Sequence, residues 1–134
     1  MTSTNTPIIT VKAPAAIGPY SQAVRTSNLI FVSGQIPINP ATGVIEVTDA
    51  AGQADQVMSN IQAILAEAGL DLSAVVKTTV LLADMADFAS VNEVYARWFN
   101  TEPLPARAAF QVAALPLGAK VEIESIAAVP QTQL

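Results

Sequence analysis

One arginine and one glutamate near the carboxy terminus are the residues of this sequence best suited to chemistry. Arg107 opens a strand-like run over residues 107–113, and Glu122 lies near the start of a second run over 121–129. A guanidinium can hold a carboxylate through two parallel hydrogen bonds, and a nearby glutamate can transfer a proton or orient a water. The residue types alone leave a second interpretation open, in which the two side chains form a salt bridge across the sheet.

Hydrophobic spacing and turn residues predict strands, a helix, a strand, a second helix and two further strands, in that order. The strands are expected at residues 8–11, 22–25, 29–32, 75–82, 107–113 and 121–129. The residues suited to open the helices are Thr48 or Asp49 for the first and Asp84 or Asp87 for the second. Gly69 fits the position just past the end of the first helix, and a strong turn is expected over residues 39–43. The second helix carries one apolar stripe, formed by Phe88, Val91, Tyr95 and Trp98. The order predicts one α+β domain over residues 1–134, a two-layer sandwich with a mixed six-stranded sheet and two helices on one face. Residues 1–6 are expected to form a flexible tail.

A sheet covered by helices on one side leaves its other face open. Alternation along the last strand separates two sets, namely Val121, Ile123 and Ser125 on one face and Glu122, Glu124 and Ile126 on the other. In the preceding strand we expect Phe110 to face the helices and Arg107 to share the open face with Glu122. Hydrophobic residues make up 51% of the chain and charged residues only 13%. Such a surplus of apolar surface favours a partner subunit on the open face, and so a homo-oligomer.

Charge and composition exclude several classes of function. The net charge is −5, and the six Lys and Arg residues are scattered singly, so no basic footprint for nucleic acid or an anionic membrane exists. Cysteine and histidine are both absent, which removes a thiol nucleophile, a zinc–thiolate site and the commonest general base. Neither a signal peptide nor a membrane-spanning run is found. We therefore expect a soluble cytoplasmic protein.

Two further polar or aromatic residues have open interpretations. Tyr20 follows a Gly-Pro loop and is either a plain loop aromatic or part of a site, and Asn92 on the second helix is more typical of a surface residue. Gly-rich phosphate loops and Gly-x-Ser-x-Gly elbows are absent. The residues by themselves thus predict an oligomer with one carboxylate-binding site, and they do not predict a reaction.

Three stretches of the chain resemble one known family. They are Pro-Ala-Ala-Ile-Gly-Pro-Tyr-Ser-Gln-Ala at 14–23, Phe-Val-Ser-Gly-Gln-Ile-Pro at 31–37, and Pro-Ala-Arg at 105–107 with Val-Glu-Ile-Glu at 121–124. These motifs are similar to those of the Rid family, the reactive intermediate deaminases also called YjgF-type proteins. The resemblance covers essentially the whole chain and the same order of elements.

The resemblance implies a chorismate-mutase-like fold assembled as a homotrimer, with three clefts between subunits. It also implies hydrolysis of 2-imino or enamine acids, such as 2-aminoacrylate, to 2-oxo acids and ammonia. No cofactor or metal is implied, because the carbon of an iminium ion is already electrophilic. Related alternatives are a non-catalytic sensor of small carboxylates and a deaminase of a specialised pathway. A ribonuclease activity, claimed for some relatives, is disfavoured by the acidic charge and the missing histidine.

Carried over by motif position, the resemblance gives roles to individual residues. Arg107 would clamp the substrate carboxylate, Glu122 would hold or activate the attacking water, and Tyr20 would close the pocket. The residues placed at or near the substrate are Ser33, Gly34, Asn92 and Ala109, with Gly34 and Ala109 acting through their backbone. Ala109 stands where many members have cysteine, and the loop over 100–104 looks shorter than usual. Both departures bear on the size of the pocket and hence on the preferred substrate.

Overall fold

A mixed sheet with two helices on one face forms the body of the computed structural model, which describes residues 4–130. The strands are β1 Thr6–Ile8, β2 Ala23–Thr26, β3 Leu29–Gln35, β4 Ile38–Asn39, β5 Val44–Ile45, β6 Val75–Leu82, β7 Ala106–Gln111 and β8 Val121–Ala128. The helices are α1 Ala50–Glu67 and α2 Phe88–Trp98. Within the described range the large sheet has the order β1-β2-β3-β8-β6-β7, with β6 and β7 parallel and the other neighbours antiparallel. This confirms the predicted α+β fold.

The first helix begins and ends where the sequence predicts. The Asp49 side chain accepts a hydrogen bond from the Gly52 N–H at 3.0 Å, which satisfies one of the donors that a helix leaves free at its start. Gly69 follows the helix with φ +77°, a conformation that costs glycine little. The apolar residues spaced three and four apart are fully buried, namely Val57, Met58, Ile61, Ile64 and Leu65. Each such side chain contributes roughly 1.5–3 kcal/mol on burial and holds α1 against the sheet.

The second helix packs against α1 and covers the end of the sheet that carries β6 and β7. Val91, Val94 and Tyr95 are its buried residues, and the Tyr95 ring lies 4.7 Å from that of Phe99. The Tyr95 phenol shares a hydrogen bond of 2.7 Å with the Thr78 hydroxyl on β6. This contact fixes the helix relative to the sheet at the place where β7 lies alongside β6.

The amino-terminal segment differs from its prediction. The expected strand at 8–11 is instead β1, which includes Thr6 of the predicted tail and ends at Ile8. The Gln22 side chain explains the early end, because it accepts from the Thr10 N–H at 2.8 Å and donates to the Thr10 carbonyl at 3.0 Å. Thr10 is thereby drawn out of the ladder. Residues 1–3 of the predicted tail, and 131–134 at the other end, lie outside the described residues.

A small hairpin was not predicted. Strands β4 and β5 have two residues each and pair around the turn expected at 39–43. Runs this short carry no detectable alternation. Across residues 4–130, no helix is both long and apolar enough to cross a membrane.

Candidate active site

The strand register places Arg107 and Glu122 on opposite faces of the sheet. Arg107 pairs with Thr78, which is fully buried beneath α2, whereas Glu122 pairs with Leu81. Directly paired residues point to the same face, and successive residues of β6 alternate between the faces. Arg107 therefore lies on the helix side and Glu122 on the open side. The prediction that the two share a face was wrong for a single chain, and so was the alternative of a salt bridge between them.

The error arose from the apolar residues of β7. Phe110 was expected to face the helices, but it pairs with Leu81 on the open face and is 48% exposed. Phe31 lies on the same face and is 44% exposed. Alternation does separate two faces of β7, but the apolar residues Ala106, Ala108 and Phe110 lie on the open face, while the face toward α2 carries Arg107 and Gln111. The small Ala109, on the same face as Arg107, packs against the core.

The guanidinium of Arg107 is held on several sides. Its Nη1 donates to Asn92 Oδ1 at 2.6 Å, and its Cζ lies 4.9 Å from the ring centre of Tyr95 and 5.6 Å from that of Phe88. The side chain is nevertheless exposed to solvent. Since a guanidinium has five N–H donors, an arginine fixed in this way can still offer a pair of them to a carboxylate.

The backbone of Ala109 faces outward from the edge of the sheet. The N–H of Val112, just past the end of β7, donates to the Leu82 carbonyl at 2.9 Å. The backbone groups of the even-numbered residues of β7 therefore point toward β6. Backbone groups of alternate residues in a parallel strand point to opposite sides. The N–H and C=O of Ala109 therefore point away from β6, where a bound molecule can reach them.

On the open face, Glu122 lies against a glycine in an irregular part of β3. The register of β3 against β8 shifts between Val32 and Gln35, as in a β-bulge, and Gly34 lies in this shift. A Cβ built on Gly34 would fall on the Glu122 carboxylate and only 2.9 Å from its Cδ. The missing side chain thus makes room for the carboxylate.

Burial raises the pKa of the Glu122 carboxyl above its ordinary value, and the negative charge of Glu124 raises it further. The shift is toward neutral pH, where a carboxyl group transfers protons most effectively. A carboxyl with such a shift beside a strand irregularity is a candidate for proton transfer.

Ser33 and Tyr20 complete the surroundings of Gly34. The Ser33 hydroxyl donates to the Ser21 carbonyl at 2.6 Å, which ties the irregular part of β3 to the chain just before β2. The Tyr20 hydroxyl accepts from the Ile17 N–H at 3.3 Å. The Tyr20 ring is 48% exposed and lines a narrow crevice together with Gly34. Beside it the open face forms a groove of about 400 Å³, with Ser33, Lys77 and Glu124 among its lining residues.

The predicted site residues thus form two groups. The arginine half-site comprises Arg107, Asn92 and Ala109, and the glutamate half-site comprises Glu122, Gly34, Ser33 and Tyr20. One chain does not bring the two groups together. Sequence reasoning missed Phe88 and Tyr95, which it assigned to the buried stripe of α2. The signal was present, because both share a helix face with Asn92 at spacings of four and three residues. Over residues 4–130 no cluster of three acidic side chains suited to a metal is found.

Comparisons with known proteins identify the family. The family model described as Endoribonuclease L-PSP matches residues 10–129, which include every residue of both half-sites. The RutC family protein y4sK of Sinorhizobium fredii is 58% identical over 120 residues, covering 90% of this chain and 94% of that protein. The 2-iminobutanoate/2-iminopropanoate deaminase of Mus musculus is 55% identical over 120 residues, covering 90% of this chain and 88% of that protein.

A solved relative has the same fold. The crystal structure of Escherichia coli TdcF with bound serine superposes with a TM-score of 0.88 at 43% identity, covering 93% of this chain and 99% of that one. The chain belongs to the Endoribonuclease L-PSP family, the family of the YjgF and Rid proteins. This confirms the family that the three sequence motifs predicted.

Proposed function

We propose that this chain is an enzyme that hydrolyses 2-imino acids, such as 2-iminobutanoate and 2-iminopropanoate, the imine tautomer of 2-aminoacrylate, to 2-oxo acids and ammonia. The observation that carries the proposal is the exposed guanidinium of Arg107, held by Asn92 and two aromatic rings beside the outer edge of β7. The mouse relative at 55% identity is named for this substrate class. A small acid with a planar carboxylate fits such a guanidinium.

The proposal includes a homotrimer whose active sites lie between subunits. The two half-sites lie on opposite faces of one sheet, so a small substrate can touch both only if they come from neighbouring protomers. Two features support such an assembly. The open face carries the exposed Phe31 and Phe110, and most of β7 is exposed at the edge of the sheet. Exposed apolar faces and uncovered edge strands are typical of surfaces that another subunit covers.

In the proposed reaction Arg107 binds the substrate carboxylate, and the backbone of Ala109 and of Gly34 lines the space around the imine carbon. Each charge-assisted hydrogen bond to the carboxylate contributes about 1.5–3 kcal/mol. Glu122 of the neighbouring protomer orients a water and accepts one of its protons as the water oxygen bonds to the imine carbon. The substrate reacts as its protonated iminium form, so the π electrons of the C=N bond become a lone pair on nitrogen, and a tetrahedral carbinolamine with an NH2 group forms.

The second half of the reaction returns the proton. Glu122 gives it to the amino nitrogen and, as a carboxylate again, accepts the proton of the carbinolamine hydroxyl while the C–N bond breaks and the C=O bond forms. Glu122 then releases this proton to solvent. One water is consumed and one ammonia is released. Proton transfer by a positioned carboxyl group contributes about 10²–10⁴-fold in rate. The raised pKa of Glu122 suits a group that must both accept and return a proton near neutral pH.

The remaining residues have supporting roles in this proposal. Tyr20 closes the pocket from its loop, and Ser33 holds the irregular segment of β3 that carries Gly34. Asn92 acts on Arg107 and need not touch the substrate. We also propose a cytoplasmic location, because reactive imines must be hydrolysed where dehydratases release them.

The proposal is tested by coupling the protein to a threonine or serine dehydratase and trapping unhydrolysed imine with semicarbazide. Wild-type protein is expected to suppress the semicarbazone at low concentration, and Arg107→Ala is expected not to. A second candidate function is non-catalytic binding of small carboxylates, which the serine bound to the TdcF relative favours. Binding of 2-oxobutanoate without any suppression of the semicarbazone would support that candidate instead.

A further inference from the structure

The Tyr95 ring lies against Arg107, and the proposed chemistry does not use it. The ring is 8% exposed, and its face lies 4.9 Å from the Arg107 Cζ. Its phenol shares a 2.7 Å hydrogen bond with Thr78, which is fully buried and is the register partner of Arg107 on β6. Thr78 and Arg107 are thus adjacent on the sheet, and Tyr95 bridges them from α2.

We infer that Tyr95, fixed by Thr78, is a positioning residue that sets the direction of the Arg107 guanidinium toward the carboxylate of its ligand. The inference rests on the carboxylate-binding role of Arg107 in the proposed function. Asn92 fixes one end of the guanidinium through Nη1, and the Tyr95 ring lies beneath its central carbon, Cζ. A contact at the central carbon and a contact at one end together restrict the group more than either does alone.

The physical basis is preorganisation. An exposed arginine samples many rotamers, and a ligand that must order it binds more weakly. Stacking on an aromatic face restricts the side chain before the ligand arrives. The ring can do this only if it is itself immobile. Tyr95 meets this condition, because Phe99 packs 4.7 Å from its ring and Thr78 holds its hydroxyl.

The hydroxyl of Tyr95 distinguishes this role from simple core packing. Burial raises the pKa of the Tyr95 phenol, so the group stays neutral at physiological pH and keeps its hydrogen bond to Thr78. A phenylalanine would pack the same ring but would lack the hydrogen bond to Thr78, which we call the tether. Ser125 offers a matched comparison, because it pairs with Thr78 on the other side of β6 and is also buried. Among the described residues its hydroxyl has no hydrogen-bond partner, so its loss leaves the tether intact.

The test compares Tyr95→Phe, Thr78→Val and the double variant with Ser125→Ala as control. Calorimetry measures the affinity for 2-oxobutanoate and for its neutral amide, 2-oxobutanamide, which lacks the carboxylate. We expect each tether variant to weaken 2-oxobutanoate binding by about three- to tenfold, as for the loss of one hydrogen bond, and to leave amide binding unchanged. The double variant should lose no more than either single one, because both remove the same contact. Ser125→Ala should match wild type.

In the imine assay the tether variants should raise KM by a similar factor and change kcat little, since the carboxylate contact is present in ground and transition states alike. Equal losses for the acid and the amide would indicate a merely structural role and overturn the inference. Unchanged affinity for 2-oxobutanoate would overturn it as well. If wild type hydrolyses no imine but the variants still lose preference for the acid over the amide, the positioning role stands and the deaminase proposal fails.

Discussion

Arg107 and Glu122 project from opposite faces of one sheet, because their register partners on β6, Thr78 and Leu81, are three residues apart and alternate in direction. A small substrate that needs both a carboxylate clamp and a proton carrier therefore has to lie between two protomers. In the proposed function this relationship makes catalysis depend on assembly, and each half-site can be tested by its own variant.

Removal of the clamp should lower kcat/KM severely without disrupting the protein. We expect Arg107→Ala to reduce kcat/KM for 2-iminobutanoate by more than about 10²-fold, since two charge-assisted hydrogen bonds are lost. Arg107→Lys keeps the charge but loses the fork geometry, so it should recover only part of the activity. Size-exclusion chromatography should give the same assembly for all three proteins. Wild-type turnover in Arg107→Ala would contradict the role.

Removal of the proton carrier should separate chemistry from binding. Glu122→Gln is expected to lower kcat by about 10²–10⁴-fold, while 2-oxobutanoate still binds through Arg107 with nearly unchanged affinity. Single-turnover kinetics and calorimetry measure the two quantities independently. Equal losses of rate and of affinity would assign Glu122 to binding instead.

The space beside Glu122 depends on the glycine that lies against it. A methyl group on Gly34 would overlap the carboxylate, and a flexible side chain relieves such overlap by moving away. Gly34→Ala should therefore lower kcat by about tenfold or more through displacement of the proton carrier, while the melting temperature changes little. The control is Gly34→Ala in the Glu122→Gln background, where it should cause no further loss of rate. A large additional loss there would indicate a direct contact between the methyl group and the substrate.

The shifted titration of Glu122 predicts a stability that depends on pH. Its pKa in the folded chain lies above the ordinary value of 4.5, so the unfolded chain ionises this group more readily. Ionisation of Glu122 therefore lowers the free energy of unfolding as the pH rises above about 4.5. Glu122→Gln carries no charge and should melt higher than wild type at pH 7, by no more than about 4 °C. The difference should vanish below pH 4.5, and a difference that grows on acidification would contradict the shift.

Two neighbouring hydroxyls on the buried face should respond in opposite ways to removal. The Ser125 hydroxyl has no partner among the described residues, so Ser125→Ala should leave the free energy of unfolding unchanged or increase it slightly. Thr78→Val leaves the buried Tyr95 phenol unpaired and should lower the free energy of unfolding by about 1–3 kcal/mol. Urea denaturation of the two variants measures both effects. A clear destabilisation by Ser125→Ala would show that its hydroxyl is satisfied in solution.

Much of the fold follows from local patterns. The spacing from Val57 to Leu65 and the capping residue Asp49 define α1, and alternation along β8 separates Glu122 from the core residues Val121 and Ile123. These predictions succeeded because each concerns one element with a polar and an apolar side. The early end of β1 could not be foreseen, since it depends on a hydrogen bond with Gln22, twelve residues away from Thr10.

The site was predicted less completely for a similar reason. The motifs gave the identities of the residues, but the face that Arg107 occupies depends on the pairing of β7 with β6, to which no local pattern refers. The apolar face of β7 is the open one, so the usual rule that apolar residues face the helices indicated the wrong side. Tyr95 was assigned to the core stripe of α2, and it does lie in the core. Its second contact, to the guanidinium, becomes visible only when α2 and β7 are placed together.

The most direct test of the shared site uses mixed oligomers. Arg107→Ala and Glu122→Gln protomers, each inactive alone, are unfolded together in equal amounts, refolded and assayed for imine hydrolysis. If each site takes its arginine from one protomer and its glutamate from the next, about a quarter of the sites regain both residues, and about a quarter of the wild-type activity should return. If the mixture stays as inactive as its parents while refolded wild type recovers fully, both residues act within one chain and the account of the site is wrong.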